Sequence, residues 1–454
     1  MPIIYVRLLY VIFQSCETWG GCYELSPSTQ LPKIQLFPYL IAGCHLEMLL
    51  EIYTMKKFQS LSIVFALFLF NCQLLAQGIK EFTTAEIQAI QLSCDSISGP
   101  GKPVIGNGTG GWRSGSDGIM YSGAYPMDPR WKAMSPSFTT GSVIKDGLLP
   151  QIKPLIELHL RDTQICLGGD GNYYMTGSSG DNIWAYAAGA ELWKSADLKK
   201  WTYLGLVWSI EKDGTWEKKW QNLHGKPARA LWAPEIHYVK GNYFICFSMP
   251  PTGISILKST TGKPEGPYVH ATTIKDKPFI NGIDPTLFQD EDGKVYFTYS
   301  GGNRIALMKD DLSDIAEPFH PITLSNPDHE PTHHAARCEK RGMNDFGTEG
   351  AVLFKANGKY YLGAADDYQG RYSSCVAVSD NIYGPYHDRQ ETVPCGGGTG
   401  FFKDKKDNWW CSYFGNDSQS PWREKPGIVK VDFTKDGKII VSKKQPFVAT
   451  AQKK

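Results

Sequence analysis

Five segments with one internal register follow residue 150, and this repeat constrains the fold more than any other feature of the chain. Each segment reaches a turn residue nine positions after its start and an aromatic residue twelve positions after it. An aromatic-rich strand follows every turn, as in NYYMTGS, NYFICFS and KVYFTYS. Such self-similarity indicates one supersecondary unit used five times. The starts are Asp162, Trp232, Asp284, Glu349 and Gly398, and the turn residues are Gly171, Gly241, Gly293, Gly358 and Asp407.

The lengths of the repeats indicate what each unit is. The spacings from start to start are 70, 52, 65 and 49 residues, which suits four-stranded blades with loop insertions. Shorter polar strands follow the aromatic ones, and no long amphipathic helical period interrupts them. The sequence therefore predicts an all-β chain that folds as a five-bladed β-propeller, with KPGIVKVDFTKDGKIIVSKKQPF as the hairpin that completes the last blade. A β-sandwich of repeated hairpins is the alternative, and the shared offsets argue against it.

A short apolar stretch lies far from the start of the chain, within MKKFQSLSIVFALFLFNCQLLAQG. It begins at Met55 with two lysines, continues as an apolar run from Leu61 to Phe70, and is followed by the small residue Ala76. This order is typical of a secretory signal peptide, and the run is shorter than a transmembrane helix needs. We therefore expect a secreted or periplasmic protein without a membrane span in its mature form.

These signals divide the chain into four segments. Residues 1–54 are interpreted as the result of a start codon assigned too early, with a genuine extension and an uncleaved internal anchor as the alternative. Residues 55–76 are the predicted signal peptide. Residues 77–150 are predicted to be an arm that leads into the five-bladed propeller of residues 151–454.

Charge and cysteine content exclude several classes of partner. The chain has 47 basic and 46 acidic residues, so no basic field draws in nucleic acid. Its eleven cysteines are widely spaced and form no CxxC pair, which indicates neither a zinc site nor a dense disulfide framework. We therefore expect no nucleic-acid partner, no cofactor and no metal.

Three carboxylates occupy starting positions of the repeat. The innermost strand of each blade lines the channel of a propeller, so Asp162, Asp284 and Glu349 are predicted to converge at one mouth beside the indole of Trp232. Crowding like charges is costly, which favours a functional reason for them. Cleavage of a glycosidic bond uses one carboxylic acid to protonate the departing oxygen and one carboxylate to activate water. A third carboxylate nearby raises the pKa of the acid by repulsion.

Four strings carry a resemblance to a known family: HLRDTQICLGGDGNYYMTGS, LWAPEIHYVKGNYFICFS, IDPTLFQDEDGKVYFTYSGG and TEGAVLFKANGKYYLGAADD. Together they resemble glycoside hydrolase family 43, in the same motif order, from about Asp162 to Asn416. The resemblance implies a five-bladed propeller and an inverting enzyme that acts on polysaccharides containing arabinose and xylose.

The resemblance also implies roles for the three carboxylates. Asp162, in RDT where the family has RDP, is implied to be the general base. Asp284, in IDP, is implied to tune the acid and to orient the substrate. Glu349 is implied to be the general acid, although Ala351 replaces the Pro of the family's EGP motif.

Three further positions bear on the site. Many members of the family carry a His at the fifth-blade channel position, often associated with a central ion or water, whereas this chain has Gly398 there. We therefore expect no bound calcium. Trp232 is predicted either to stack on a sugar or to pack in the funnel wall. Arg371 is predicted either to bind sugar hydroxyls or to be an exposed loop arginine.

The sequence thus predicts an inverting, exo-acting α-L-arabinofuranosidase or β-xylosidase that acts on plant-type polysaccharides or oligosaccharides. The choice of sugar is expected to depend on long insertions at residues 180–230 and 315–345. A non-catalytic carbohydrate-binding propeller is one alternative, supported by the altered RDT and EGA motifs and the missing His. A related propeller hydrolase acting on fructans or anhydrogalactose units is another.

Overall fold

Five antiparallel sheets of four strands follow one another along the chain, and each sheet keeps its strands in sequence order. The first strands of successive sheets contact one another around a ring, so each sheet is a blade that runs from a central channel to the rim. The predicted all-β, five-bladed propeller is therefore confirmed. The computed structural model describes residues 82–89, 112–114, 120–122, 155–156, 160–179, 183–223, 226–300, 303–325, 346–368, 371–394, 396–415 and 425–442.

The strands are numbered in chain order. Two hairpins of the described ranges lie outside the blades: β1 (Trp112–Ser114) with β2 (Met120–Ser122), and β7 (Gln221–Leu223) with β8 (Lys226–Ala228). Blade 1 consists of β3 (Leu160–Leu167), β4 (Tyr173–Ser179), β5 (Gly189–Ser195) and β6 (Thr202–Ser209). Blade 2 consists of β9 (Trp232–Val239), β10 (Asn242–Met249), β11 (Gly253–Ser259) and β12 (Tyr268–His270).

The other three blades follow the same plan. Blade 3 consists of β13 (Thr286–Gln289), β14 (Val295–Thr298), β15 (Arg304–Leu307) and β16 (His320–Pro321). Blade 4 consists of β17 (Glu349–Ala356), β18 (Lys359–Tyr368), β19 (Arg371–Ser379) and β20 (His387–Pro394). Blade 5 consists of β21 (Gly396–Lys403), β22 (Trp409–Gly415), β23 (Pro426–Phe433) and β24 (Ile439–Val441), so the predicted closing hairpin is confirmed.

The hydrophobic core lies between the blades. Each of five buried clusters joins two neighbouring blades, and aromatic residues of the repeated second strands belong to several of them. Tyr174 thus packs with Tyr243 between blades 1 and 2, and Phe354 stacks on Phe401 between blades 4 and 5. Many of the aromatic residues of the chain therefore serve to pack neighbouring sheets against each other.

In the described residues, the ring closes without sharing a strand between its first and last blades. Leu155 N donates a hydrogen bond to Pro426 O at 2.8 Å, and Ser412 Oγ donates to Thr163 O at 2.6 Å. A cluster that contains Trp193 and Trp410 fills the same interface. Closure therefore depends on packing and on a few hydrogen bonds between two complete blades.

The predicted insertion at 180–230 is too wide. Residues 189–209 contain β5 and β6, which are the outer strands of blade 1, so only residues 210–230 form an insertion between blades 1 and 2. This segment contains one helical turn (Ile210–Asp213), a 3₁₀ turn (Trp216–Lys218) and the β7–β8 hairpin. In the second predicted insertion, β16 completes blade 3, and residues 326–345 lie outside the described residues.

Little of the N-terminal region falls within the described residues. Residues 84–89 form a helical turn, at whose start Thr83 and Glu86 exchange hydrogen bonds as a capping box. The predicted signal peptide at 55–76 and the assignment of residues 1–54 lie outside the described part and stay predictions. No helix in the described ranges is long and apolar enough to cross a membrane.

Candidate active site

One end of every innermost strand has the same local distortion. A residue there adopts left-handed backbone angles, with φ between 44° and 67°, and in four of the five blades the ladder skips two residues at this point. Such bulges bend a strand and re-aim its side chains, and left-handed angles in non-glycine residues cluster at functional sites. The five left-handed residues are Asp162, Ala233, Asp284, Gly350 and Gly398.

This pattern corrects the predicted register in blades 2 and 4. The left-handed residue there is Ala233 or Gly350, one position after the predicted Trp232 and Glu349. The reason is the length of the hairpin loop, which has two residues in blades 2 and 4 and five in the others. Glu349 and Trp232 are therefore equivalent to Arg161, directly before the bulge, and not to Asp162.

Asp162 is a partly exposed residue whose carboxylate is fixed by blade 1. Ser178 Oγ donates to Asp162 Oδ2 at 2.6 Å and accepts from the backbone N–H of Ala233 at 2.7 Å, which links blades 1 and 2. Burial raises the pKa of Asp162, while the positive charge of Arg161 and the Ser178 hydrogen bond oppose that rise. A base with a raised pKa binds a proton more strongly, which suits a group that takes one from water.

Asp284, at the start of blade 3, is hydrogen-bonded to blades 2 and 4. Its backbone N–H donates to Ser248 Oγ at 3.2 Å, and its Oδ2 accepts from the backbone N–H of Gly350 at 2.7 Å. Burial, reinforced by the charges of Glu349 and Asp162, raises the pKa of Asp284 well above its usual range. The carboxylates therefore act on one another electrostatically, and their protons belong to the group as a whole.

Glu349 is the first residue of β17 and lies opposite Ala365. The segment before it is held in place, because both N and Oγ1 of Thr348 donate to Ala365 O, at 2.9 and 3.0 Å. Glu349 is partly exposed, and the residue after it is the one that hydrogen-bonds Asp284. The structure thus brings together all three carboxylates that the sequence singled out.

Gly398 explains why the fifth blade contributes no side chain at this level. Its φ is +50°, and a Cβ atom there would lie 2.4 Å from Asp162 Cα and 2.6 Å from Asp162 Oδ1. Any side chain would therefore displace Asp162. The expectation that no calcium is bound stays a prediction.

The two predicted substrate-binding residues lie at the same end of the propeller. Trp232 is partly exposed; its Nε1 donates to Ile183 O at 2.9 Å, and its ring meets Trp184 edge to face at 5.8 Å. Arg371 pairs with Tyr368 beyond the level of Glu349, as the first residue of β19, and its side chain lies outside the described parts. It therefore belongs to a strand and not to a loop.

Sequence reasoning missed Arg161, whose charge acts on Asp162, and Trp184, which contacts Arg161. The guanidinium of Arg161 lies over the rings of Phe414 and Trp184, with its Cζ 4.1 and 5.4 Å from the ring centroids. Arg161 directly precedes Asp162 in the sequence, and this adjacency could have predicted its place near the carboxylates. Trp184 lies in a connection without a repeat pattern, so no sequence signal placed it here.

One group of potential metal ligands lies in blade 2. Glu235, His237 and Cys246 are buried on one face of the sheet, and His237 Nε2 is 3.0 Å from Glu235 Oε2. Burial raises the pKa of the Cys246 thiol well above its usual range, and the thiol donates to Pro285 O at 3.2 Å. The three side chains are already hydrogen-bonded, to one another or to Pro285, so this group forms a hydrogen-bonded support behind Asp284.

Comparisons with known proteins point in one direction. A sequence profile described as Glycosyl hydrolases family 43 matches residues 152–439. An extracellular endo-α-(1→5)-L-arabinanase of Bacillus subtilis is 27% identical over 237 residues, which cover 49% of this chain and 67% of that protein. A β-D-galactofuranosidase of Aspergillus niger is 26% identical over 226 residues, or 45% of this chain and 56% of that protein.

A third relative is an extracellular exo-α-(1→5)-L-arabinofuranosidase of Cellvibrio japonicus. It is 24% identical over 275 residues, which cover 54% of this chain and 74% of that protein. The chain spans only about half the length of some curated relatives that it matches.

Proposed function

We propose that this chain, which belongs to glycoside hydrolase family 43, hydrolyses O-glycosyl bonds of pentose-containing polysaccharides or oligosaccharides with inversion at the anomeric carbon. The bond cleaved is that of a terminal α-L-arabinofuranosyl or β-xylosyl unit. Relatives named for arabinofuranose linkages, among them the Cellvibrio exo-enzyme, support this substrate class.

The observation that carries the proposal is the hydrogen bond from Gly350 N to Asp284 Oδ2. It places the third carboxylate against the residue that follows Glu349, while a separate serine holds Asp162 on the first blade. Asp162 and Glu349 therefore lie on different blades, and Asp284 lies beside Glu349. The two groups have distinct environments, as an acid and a base require.

In the proposed reaction, Glu349 carries a proton and donates it to the departing glycosidic oxygen. Asp162 is ionised, accepts a proton from a water molecule and directs that water to the anomeric carbon from the opposite face of the sugar. Asp284 and Glu349 resist ionising together, so the pair keeps one proton to higher pH than a lone carboxyl group, and that proton is available to the departing oxygen. No covalent intermediate forms.

A panel of aryl glycosides tests this proposal. We expect release of the aryl group from the α-L-arabinofuranoside or the β-xyloside, and no release when Glu349→Gln is combined with Asp162→Asn. Binding of the sugars without hydrolysis of any glycoside would instead indicate a carbohydrate-binding propeller. Turnover only of fructans or anhydrogalactose substrates would indicate a different glycosidase.

A further inference from the structure

A row of aromatic side chains leads away from the three carboxylates across the catalytic end of the propeller. The ring centroids of Trp232 and Trp184 are 5.8 Å apart. Tyr186, two residues after Trp184, stacks on Trp220 with 6.1 Å between the ring centroids and an angle of 7° between the ring planes. Burial alternates along the segment that carries the middle of the row. Ile183, Ala185 and Ala187 are buried, whereas Trp184 and Tyr186 are partly exposed.

The topology fixes the direction of the row. The second strand β4 ends beside Leu160, close to Asp162, and the third strand β5 begins at Gly189. The segment with Trp184 and Tyr186 joins these two strands at the catalytic end. Trp220 directly precedes β7 in the insertion between blades 1 and 2, and its ring lies beside Arg229. The row therefore runs from the channel mouth to this insertion.

The row is held in a fixed conformation. Arg229 N donates to Ala185 O at 2.7 Å, and Ala187 N donates to Arg229 O at 3.0 Å. The Arg229 guanidinium lies 4.7 Å from the centroid of the Trp220 ring and is bound by Glu211 at 2.8 Å. A surface that is ordered before binding loses little conformational entropy when it binds a ligand.

We propose that Trp184, Tyr186 and Trp220 bind the sugar units on the leaving-group side of the scissile bond of a linear pentose oligosaccharide. The inference rests on the proposed function, which leaves a single sugar on the other side of that bond. The C–H faces of pentose rings are apolar and pack on aromatic rings, while tyrosine and tryptophan also present a polar edge to hydroxyl groups. The row is continuous with Trp232 and so with the site of cleavage.

The test compares substrates of increasing length. For the wild type, we expect kcat/KM to rise from the aryl monosaccharide through di-, tri- and tetrasaccharides of β-1,4-xylose or α-1,5-arabinose. In Tyr186→Ala and Trp220→Leu, the ratio of kcat/KM on the tetrasaccharide to that on the aryl monosaccharide is expected to fall about tenfold. Trp220→Phe keeps a ring and should retain most of the ratio.

Tyr238→Ala is the matched control. Tyr238 is 37% exposed and lies on β9, at the opposite end of that strand from Trp232. Its removal should leave the ratio unchanged, and thermal melts establish that each variant is folded. A wild-type kcat/KM that does not rise with length, or a ratio that survives in both Tyr186→Ala and Trp220→Leu, overturns the inference.

Failure of the proposed function would look different. If the wild type cleaves no glycoside, quenching of tryptophan fluorescence by the same oligosaccharides replaces the kinetic readout. Affinity that rises with chain length and is lost in Trp220→Leu supports the row as a binding site. Affinity that is absent, or equal for mono- and tetrasaccharides, contradicts it.

Discussion

The two ends of the innermost strands differ in what their backbone conformation achieves. At the end away from the carboxylates, left-handed residues such as Gly171 and Gly293 lie in open turns, where an added Cβ would contact nothing within 4 Å. At the catalytic end, the left-handed residues lie inside the ring, four of them in bulges, and a Cβ added at Gly398 would lie 2.4 Å from Asp162 Cα. The same backbone angles therefore reverse the chain at one end and place carboxylates at the other.

This comparison predicts the largest effects for carboxylates at the catalytic end. Asp162→Asn and Glu349→Gln should each lower kcat/KM by about 10²–10⁴-fold, because each removes general acid or base help. Asp292→Asn is the matched control, since Asp292 lies in the turn at the other end of blade 3 and its side chain is 48% exposed. Equal activity losses in all three variants would show that the two ends do not differ as described.

Glycine substitutions test the same contrast through stability. Gly171→Ala and Gly398→Ala both place a side chain in the left-handed region, which costs roughly 1–2 kcal/mol. Gly398→Ala should lower the free energy of unfolding by more than Gly171→Ala, because its Cβ also meets the backbone of Asp162. Urea unfolding measures both. Equal decreases in the free energy of unfolding would mean that the backbone near Asp162 adjusts to the added Cβ at no cost.

Asp284→Asn should change the pH dependence of the reaction. Removing a negative charge beside the group that must stay protonated lowers the pKa of that group. The alkaline limb of the pH–rate profile should therefore move to lower pH, together with a lower maximal rate. If only the rate falls and the limb stays in place, Asp284 orients the substrate without setting the proton affinity of the site.

The same variant should make the protein more stable at neutral pH. The pKa of Asp284 is raised in the folded state, so the folded protein loses stability as pH rises from about 3.9, the unfolded value, towards the folded pKa. Asn carries no such charge and still offers an oxygen to Gly350 N. The gain should vanish below about pH 3.9, and a gain that is independent of pH would point to another cause.

Much of this arrangement was predictable from the sequence, because the blade repeat and the Asp-Pro and Glu-Gly motifs are local signals. The one-residue shift in blades 2 and 4 was not, since Lys240–Gly241 and Asn357–Gly358 form two-residue turns that a fixed offset does not distinguish from longer ones. Trp184 was also missed, because its position depends on which strands its connection joins. Both the one-residue shift and the position of Trp184 depend on how the strands pair, which the composition of the chain does not reveal.

The central claim is that Asp162 and Glu349 act from opposite faces of the sugar without a covalent intermediate. Proton NMR of the first-formed product, recorded before the anomers equilibrate, tests it most directly. The mechanism predicts a sugar of inverted anomeric configuration, because water attacks once from the side of Asp162. A first-formed product with retained configuration would contradict the mechanism even if both carboxylates proved essential.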